Sequence, residues 1–312
     1  MELLRTLKAS SPVFPNDDSK VLSVNKDDTI SKAFQVLIDN NILSVPVYDK
    51  NEKKFCCFFS MLDIIQEILD VTNNFKLPDG DISSVLTILQ EKQLFKMSKV
   101  GDIANISKRD PFIIVNSEMK LDDVARVMVR NNIRRVPVLD SRGELCNVIT
   151  NSRLIECVSH LFGMDHELTK MGQQTIAQLN IINYDVISVR SDKGAQEAFK
   201  IIAEMGVSGV GIVDQDNKLI GSINDSDLKL IKSHAQYLSL LYLPISQYLQ
   251  VLEELKMKSK QILTFKETDC FKDVLENIVA TKSHRLFLVD DDFKLKGVVS
   301  LQDILEKIVI SV

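Results

Sequence analysis

At 312 residues the chain has room for two or more domains, each with a core of its own. Hydrophobic residues make up 45% and charged residues 26%, an ordinary globular balance, and the first segment, whose basic residues are Arg5 and Lys8, carries no apolar run of signal-peptide or membrane-spanning length. The formal net charge of −5 argues against nucleic-acid and anionic-membrane partners, and with no such apolar run the cytosol or nucleus is the expected compartment.

Along the chain one grammar is written four times: a short apolar strand, an amphipathic helix, a strand ending in Asp, a turn, a third strand and a closing helix. The first copy runs VLSV, TISKAFQVLIDN, ILSVPVYD and KFCCFFSMLDIIQEIL, with Ile30, Ala33, Phe34, Leu37 and Ile38 at helical spacing. Its adjacent Cys56 and Cys57 fall in a strand, which predicts side chains on opposite faces. The second copy runs FIIV, KLDDVARVMVRN, IRRVPVLD and ELCNVITNSRLIECV, with Leu121, Val124, Ala125, Met128 and Val129 at the same spacing. The third runs VISV, GAQEAFKIIAEM, VSGVGIVD and KLIGSINDSDLKLI, and the fourth ILTF, CFKDVLENIVAT, SHRLFLVD and KLKGVVSLQDILEKIV. Runs such as VPVL before Asp140 and LFLV before Asp290 suit buried strands, and DSRGE, DQDNK and DDDFK after them are turn chemistry. The copies are expected at 15–70, 106–160, 180–233 and 258–312, joined by partly helical segments near 71–110, 161–184 and 233–260. One such unit buries too little apolar surface to stand alone, so the copies should pair in an α+β architecture.

Candidate ligand groups lie where the third strand enters the closing helix, at Ser60-x-x-Asp63, Thr150-x-x-Arg153, Asn224-x-x-Asp227 and Ser300-x-x-Asp303. A carboxylate there could accept hydrogen bonds from both hydroxyls of a ribose, with the neighbouring side chain and the free N–H groups of the helix start touching the rest of a nucleotide. The same spacing is also close to a helix capping box that needs no ligand, and one Asp could serve both roles. Arg153 is the exception, with the wrong charge for a helix first turn. A second constellation is basic: Arg134 and Arg135 precede Val136-Pro137, and His284 and Arg285 precede Leu286. Arginine forks bind phosphate oxygens bidentately, and His284 adds a donor that depends on protonation. Either pair by itself would also suit a solvated strand start.

Other chemistries find no support. Cys56, Cys57, Cys146, Cys157 and Cys270 show neither a disulfide framework nor a zinc spacing, so reduced thiols are expected. His160, His166, His234 and His284 have no HExxH or CxxC company, which leaves no expected metal site. The sequence contains no Walker A loop, GxSxG elbow or kinase catalytic loop, so no nucleophile or general base can be named and a regulator, not an enzyme, is expected.

The fourfold grammar resembles the CBS domain, whose copies pair into Bateman modules. Four copies in this order resemble the gamma regulatory subunit family of AMP-activated protein kinase, within the sucrose-nonfermenting kinase family. The local match is strongest over Ser283 to Val309, and NIRRVPVLD and ITNSRLIECV parallel that family's second copy. The resemblance implies two Bateman modules forming a disc and the ligands AMP, ADP and ATP. It implies ribose contacts from Asp303, Asp63 and Asp227, nearby contacts from Ser300, Ser208, Ser60, Asn224 and Thr150, and phosphate contacts from Arg134, Arg135, His284 and Arg285. It marks Arg153 as a position that does not hold ribose, and implies a heterotrimer with a catalytic kinase subunit and a beta-type scaffold. The chain departs from that pattern at Leu43 and Ser152, where the family carries Arg and Lys, and at 207–211, which lacks the usual Pro. The site expected to be best retained combines Ser208, His284, Arg285, Ser300 and Asp303. Two other readings remain open: a stand-alone adenosyl-ligand module that regulates another enzyme or a transporter, and a degenerate scaffold that binds protein only.

Overall fold

A computed structural model describes residues 2–11, 21–74, 98–106, 111–231, 240–255 and 262–310. Each copy contributes one three-stranded sheet, with the opening strand parallel to the middle strand and the middle strand antiparallel to the third. In the first copy these are β1 (Val24–Asn25), β2 (Ser44–Asp49) and β3 (Lys54–Ser60). The second has β4 (Val115–Asn116), β5 (Arg135–Leu139) and β6 (Leu145–Thr150); the third, β7 (Ser188–Arg190), β8 (Gly209–Val213) and β9 (Leu219–Asn224); the fourth, β10 (Thr264–Phe265), β11 (Arg285–Val289) and β12 (Leu295–Ser300). A parallel pair needs a crossover, and the amphipathic helices Ile30–Asp39, Leu121–Arg130, Ala195–Glu204 and Phe271–Thr281 supply it. The middle-strand Asp expected to open each turn does so: Asp49, Asp140, Asp214 and Asp290 each accept two backbone N–H bonds through Oδ1.

The opening strands are shorter than the apolar runs predicted, and proline explains two of them. β1 and β4 pair with β2 and β5 only from Val24↔Val47 and Val115↔Val138 onward. One step earlier stand Pro46 and Pro137, which have no N–H to give. The equivalent Gly211 and Phe287 do donate, to the carbonyls of Ile187 and Leu263. The missing Pro of the third copy is therefore a ladder bond gained. That copy also differs at its end, where Asp225–Ile231 forms a tight 3-10 turn and not the α-helix expected. Asp225, Ser226 and Asp227 are residues whose short polar side chains compete with the helical backbone. The other copies close with α-helices Met61–Asn74, Asn151–Ser159 and Leu301–Ile310.

Every hairpin between middle and third strand carries a one-residue bulge, which leaves Cys56, Cys146, Ile220 and Lys296 without a cross-strand partner. This corrects the expectation for Cys56 and Cys57. The bulge rotates Cys56 out of the strict alternation, and the two Sγ atoms lie 3.6 Å apart on one side.

Chain contacts divide the copies into two compact units. Unit 1 comprises Met1–Val21, Asp110–Val186 and Leu263–Val312, and so holds the second and fourth copies. Unit 2 comprises Leu22–Arg109 and Ile187–Ile262, the first and third. The copies thus pack in alternate pairs, helix against helix. In unit 1, Leu121, Val124, Ala125 and Met128 meet Leu154, Ile155 and Val158, and close on Phe271, Leu275, Ile304, Leu305 and Ile308. In unit 2, Ile30, Phe34 and Leu37 join Ile64, Ile65 and Ile68, Phe199, Ile202, Tyr248 and Leu252. Of the segments expected to be partly helical, 161–184 contains helices His166–Gly172 and Ile176–Leu179 and 233–260 contains helix Ile245–Glu254, whereas 71–110 lies largely outside the described residues, as does His234.

Candidate functional site

Strand register brings the same four positions together in each copy. The first residue of the middle strand faces the last residue of the third: Ser44↔Ser60, Arg135↔Thr150, Gly209↔Asn224 and Arg285↔Ser300. The residue just before lends its carbonyl to the first N–H of the closing helix, Met61 to Leu43 (3.0 Å), Asn151 to Arg134 (3.0 Å), Asp225 to Ser208 (3.0 Å) and Leu301 to His284 (3.1 Å). Each copy therefore has one corner where a strand start, a strand end and a helix N-terminus meet. Backbone N–H groups gather there, the first of each closing helix already bonded to that carbonyl.

At two corners the capping arrangement is formed. The Ser300 N–H and hydroxyl both donate to Asp303 Oδ2, at 2.8 and 2.6 Å, and the Asp303 N–H returns to Ser300 Oγ at 3.4 Å. Ser60 and Asp63 repeat this at 2.8, 2.7 and 3.4 Å. In the third copy the Asn224 N–H reaches Asp227 Oδ2 at 2.9 Å. The three acids differ in access. Asp63 is 1% exposed and Asp227 6%, whereas Asp303 is half-buried. Asp227 also lies toward the core, where its charge adds to burial in pushing the Tyr248 hydroxyl well above its usual range. At the fourth corner the Ser300 N–H and hydroxyl both fall on the same oxygen of Asp303, Oδ2.

Two of the basic groups are not solvated strand-start charges. Arg135 is 9% exposed and Arg285 8%, while Arg134 and His284 are half-buried. All four belong to unit 1. The equivalent positions in unit 2 are Leu43, Ser44, Ser208 and Gly209, none of them charged. Ser208 thus lies in the other unit from the remaining members of the expected fourth-copy set. Gly209 has a steric basis: a Cβ there would overlap Asn224 Oδ1 and stand 2.7 Å from the Ile223 carbonyl oxygen.

Thr150 caps its helix by accepting from the Arg153 N–H at 3.3 Å. The Arg153 guanidinium turns back on its own strand, donating to Asn147 Oδ1 at 3.1 Å and to the Val148 carbonyl at 3.2 Å. Burial lowers its pKa. Lys229 was not singled out from sequence. It stands where other copies have Ile65, Ile155 and Leu305, and a charge in that apolar row was the available signal. Its Nζ donates to Asn41 Oδ1 at 2.8 Å, tying the third copy to the first, and burial pushes its pKa down. Among the described residues no three His, Cys, Asp or Glu side chains gather as metal ligands, and no helix is long and apolar enough to cross a membrane.

The CBS domain model matches the chain at 17–70, 100–160, 177–232 and 252–310, well over half its length. The chain belongs to the CBS domain family. It is 25% identical over 92% of its length to the 5'-AMP-activated protein kinase subunit gamma of Dictyostelium discoideum, covering 49% of that protein. Against subunit gamma-3 of Sus scrofa the identity is 26% over 90% of the chain and 52% of the relative. The chain thus spans about half the length of these CBS relatives. The SNF1-related protein kinase regulatory subunit gamma-1 of Arabidopsis thaliana is 22% identical over 99% of the chain and 84% of its own length. A solved protein of Methanocaldococcus jannaschii, described as a suggested archaeal homologue of the gamma subunit, has the same fold, with a TM-score of 0.70 and 18% identity over 94% of this chain and 97% of that one.

Proposed function

We propose that this CBS-domain chain is an adenine-nucleotide sensor, taking AMP, ADP and ATP, and a non-catalytic gamma-type subunit of a serine/threonine kinase complex with a catalytic chain and a beta-type scaffold. The observation that carries the reading is the fourth corner. There a half-buried carboxylate with one oxygen occupied by Ser300 stands in the same register frame as buried Arg285, and the names of the relatives tie such chains to AMP and to kinases. Asp303 would accept from the ribose common to all three nucleotides, while Arg134, Arg135, His284 and Arg285 would read phosphate charge. Asp63 and Asp227 would serve ribose less well, being buried. A nucleotide shifts kinase activity only through its differential affinity for two states of the complex, so the phosphate-reading cations are where that difference must arise.

The test is copurification from native extract, followed by nucleotide titration of whatever is recovered. A catalytic kinase chain and a bridging chain in stoichiometric yield support the reading. A second reading, a stand-alone adenosyl-ligand module for another enzyme, draws on the corners of unit 2, which carry an acid but no basic side chain and so suit a ligand without phosphate. Ligand binding with no kinase chain recovered would favour it.

A further inference from the structure

The bulge shared by all four hairpins places two consecutive third-strand residues against one residue of the middle strand. These pairs are Cys56–Cys57, Cys146–Asn147, Ile220–Gly221 and Lys296–Gly297, so two thiols meet only in the first copy. Cys56 Sγ donates to the Val47 carbonyl at 3.5 Å and lies 3.6 Å from Cys57 Sγ. Both side chains are half-buried, which leaves them open to a small reagent. Cys146 occupies the same bulge position, donating to the Val138 carbonyl at 3.4 Å, but its neighbour is an amide. The molecule thus carries its own single-thiol control.

We propose that Cys56 and Cys57 form a vicinal dithiol site that binds a thiophilic trivalent metalloid, of the organoarsenical class, bridged by both sulfurs. Consecutive Cα atoms are fixed about 3.8 Å apart by the trans peptide, short of the roughly 4.4–6.8 Å that a disulfide spans. Closing the sulfurs to a bond of about 2.05 Å would have to bend a strand held by its ladder on β2. A bridging atom makes two longer bonds to sulfurs near where they already stand, and soft sulfur prefers a soft centre. Burial, then the neighbouring Cys56, pushes the Cys57 thiol up to about 12, so it is protonated at neutral pH and slow toward reagents that need a thiolate. Condensation with an arsine oxide needs no prior loss of both protons. Two S–H bonds break, two As–S bonds form, and the oxygen leaves with both protons as water, with arsenic remaining trivalent. No oxidant is consumed.

The probe is phenylarsine oxide added to the full-length chain, read by intact-protein mass spectrometry and peptide mapping. The wild type should retain one equivalent through an excess of monothiol and release it to a dithiol. The adduct should map to the peptide that carries both cysteines. C56S and C57S should each bind more weakly by roughly a hundredfold, the gain that bidentate capture gives over a single site, while C146S should behave as wild type. Removal of the wild-type adduct by monothiol, its mapping to another cysteine, or its retention in C56S would overturn the proposal. Mapping on the wild type decides the matter even if one variant fails to fold.

Discussion

Asp303 caps its helix and is proposed to hold a ribose, and replacing it in two ways tells the two duties apart. Its Oδ2 accepts the Ser300 N–H at 2.8 Å and the Ser300 hydroxyl at 2.6 Å. Asp303→Ala removes those bonds and any sugar contact together. Loss of a helix cap costs about 0.5–2 kcal/mol of stability. Loss of a charge-assisted ligand bond costs ~1.5–3 kcal/mol, or about ten- to a hundredfold in affinity. Asp303→Asn keeps an oxygen that can accept from Ser300 at the same volume, and loses the charge and one acceptor toward the ribose. Calorimetric titration with adenosine, AMP, ADP and ATP, paired with thermal unfolding, reads both duties. Expected for Asp303→Ala is a lower Tm and a similar loss of affinity for all four ligands. Asp303→Asn should lose affinity with little change in Tm. If Asp303→Ala unfolds earlier but binds all four as the wild type does, the carboxylate is only a helix cap and the ribose assignment fails.

Arg285→Gln removes charge and keeps some hydrogen-bonding reach, so it should weaken AMP, ADP and ATP far more than adenosine and flatten the salt dependence of nucleotide binding; equal losses for adenosine would place the arginine in the base pocket or the fold. Arg153→Ala, which removes bonds to Asn147 and Val148 in its own copy, should lower stability and leave the number of bound nucleotides unchanged, and a lost equivalent in calorimetry would contradict that. The turn carboxylates Asp49, Asp140 and Asp290 are held below their usual range: Asp49 first by the Lys26 hydrogen bond, Asp140 and Asp290 first by the backbone N–H groups of Glu144 and Lys294. With folded pKa values depressed, their contribution is complete above the ordinary carboxylate pKa of about 3.9 and fades as pH falls through the folded values. Asp140→Asn should therefore lose stability at pH 7 and show a shallower decline as pH falls below about 4, and a decline as steep as in the wild type would count against this account.

The four copies were legible because each is written in local physics. Helical spacing at Ile30, Ala33, Phe34 and Leu37 places those side chains in a core, and Ser60 to Asp63 and Ser300 to Asp303 form the caps that their spacing implied. What failed to show was non-local. The alternate pairing of copies depends on which helix faces match in space, and no single segment encodes that. The bulge at Cys56 arises from how β2 and β3 register across a turn, so alternation misplaced a thiol that only the pairing could locate. The short opening strands were readable in principle, since Pro46 and Pro137 lack the N–H that Gly211 and Phe287 supply. The burial of Arg135 and Arg285 was not, because a charged pair at a strand start looks alike in sequence whether covered or wet.

The distribution of charge over the corners bears on mechanism. Unit 1 holds Arg134, Arg135, His284 and Arg285 with a single corner acid, Asp303, because the matching position of its other copy is Arg153. Unit 2 holds Asp63 and Asp227 and none of these four basic side chains. Two unit charges 4 Å apart interact by about 4 kcal/mol at an effective dielectric constant near 20, so a phosphate is repelled by a corner with only a carboxylate and attracted by one with a guanidinium. Sugar recognition is common to AMP, ADP and ATP and cannot separate them. Under the proposed function, phosphate number would be told apart where the basic side chains stand, among the groups of unit 1. A selective loss of the charged ligands in Arg285→Gln is what this division of labour requires, and a loss shared equally with adenosine would leave the asymmetry without a role in sensing.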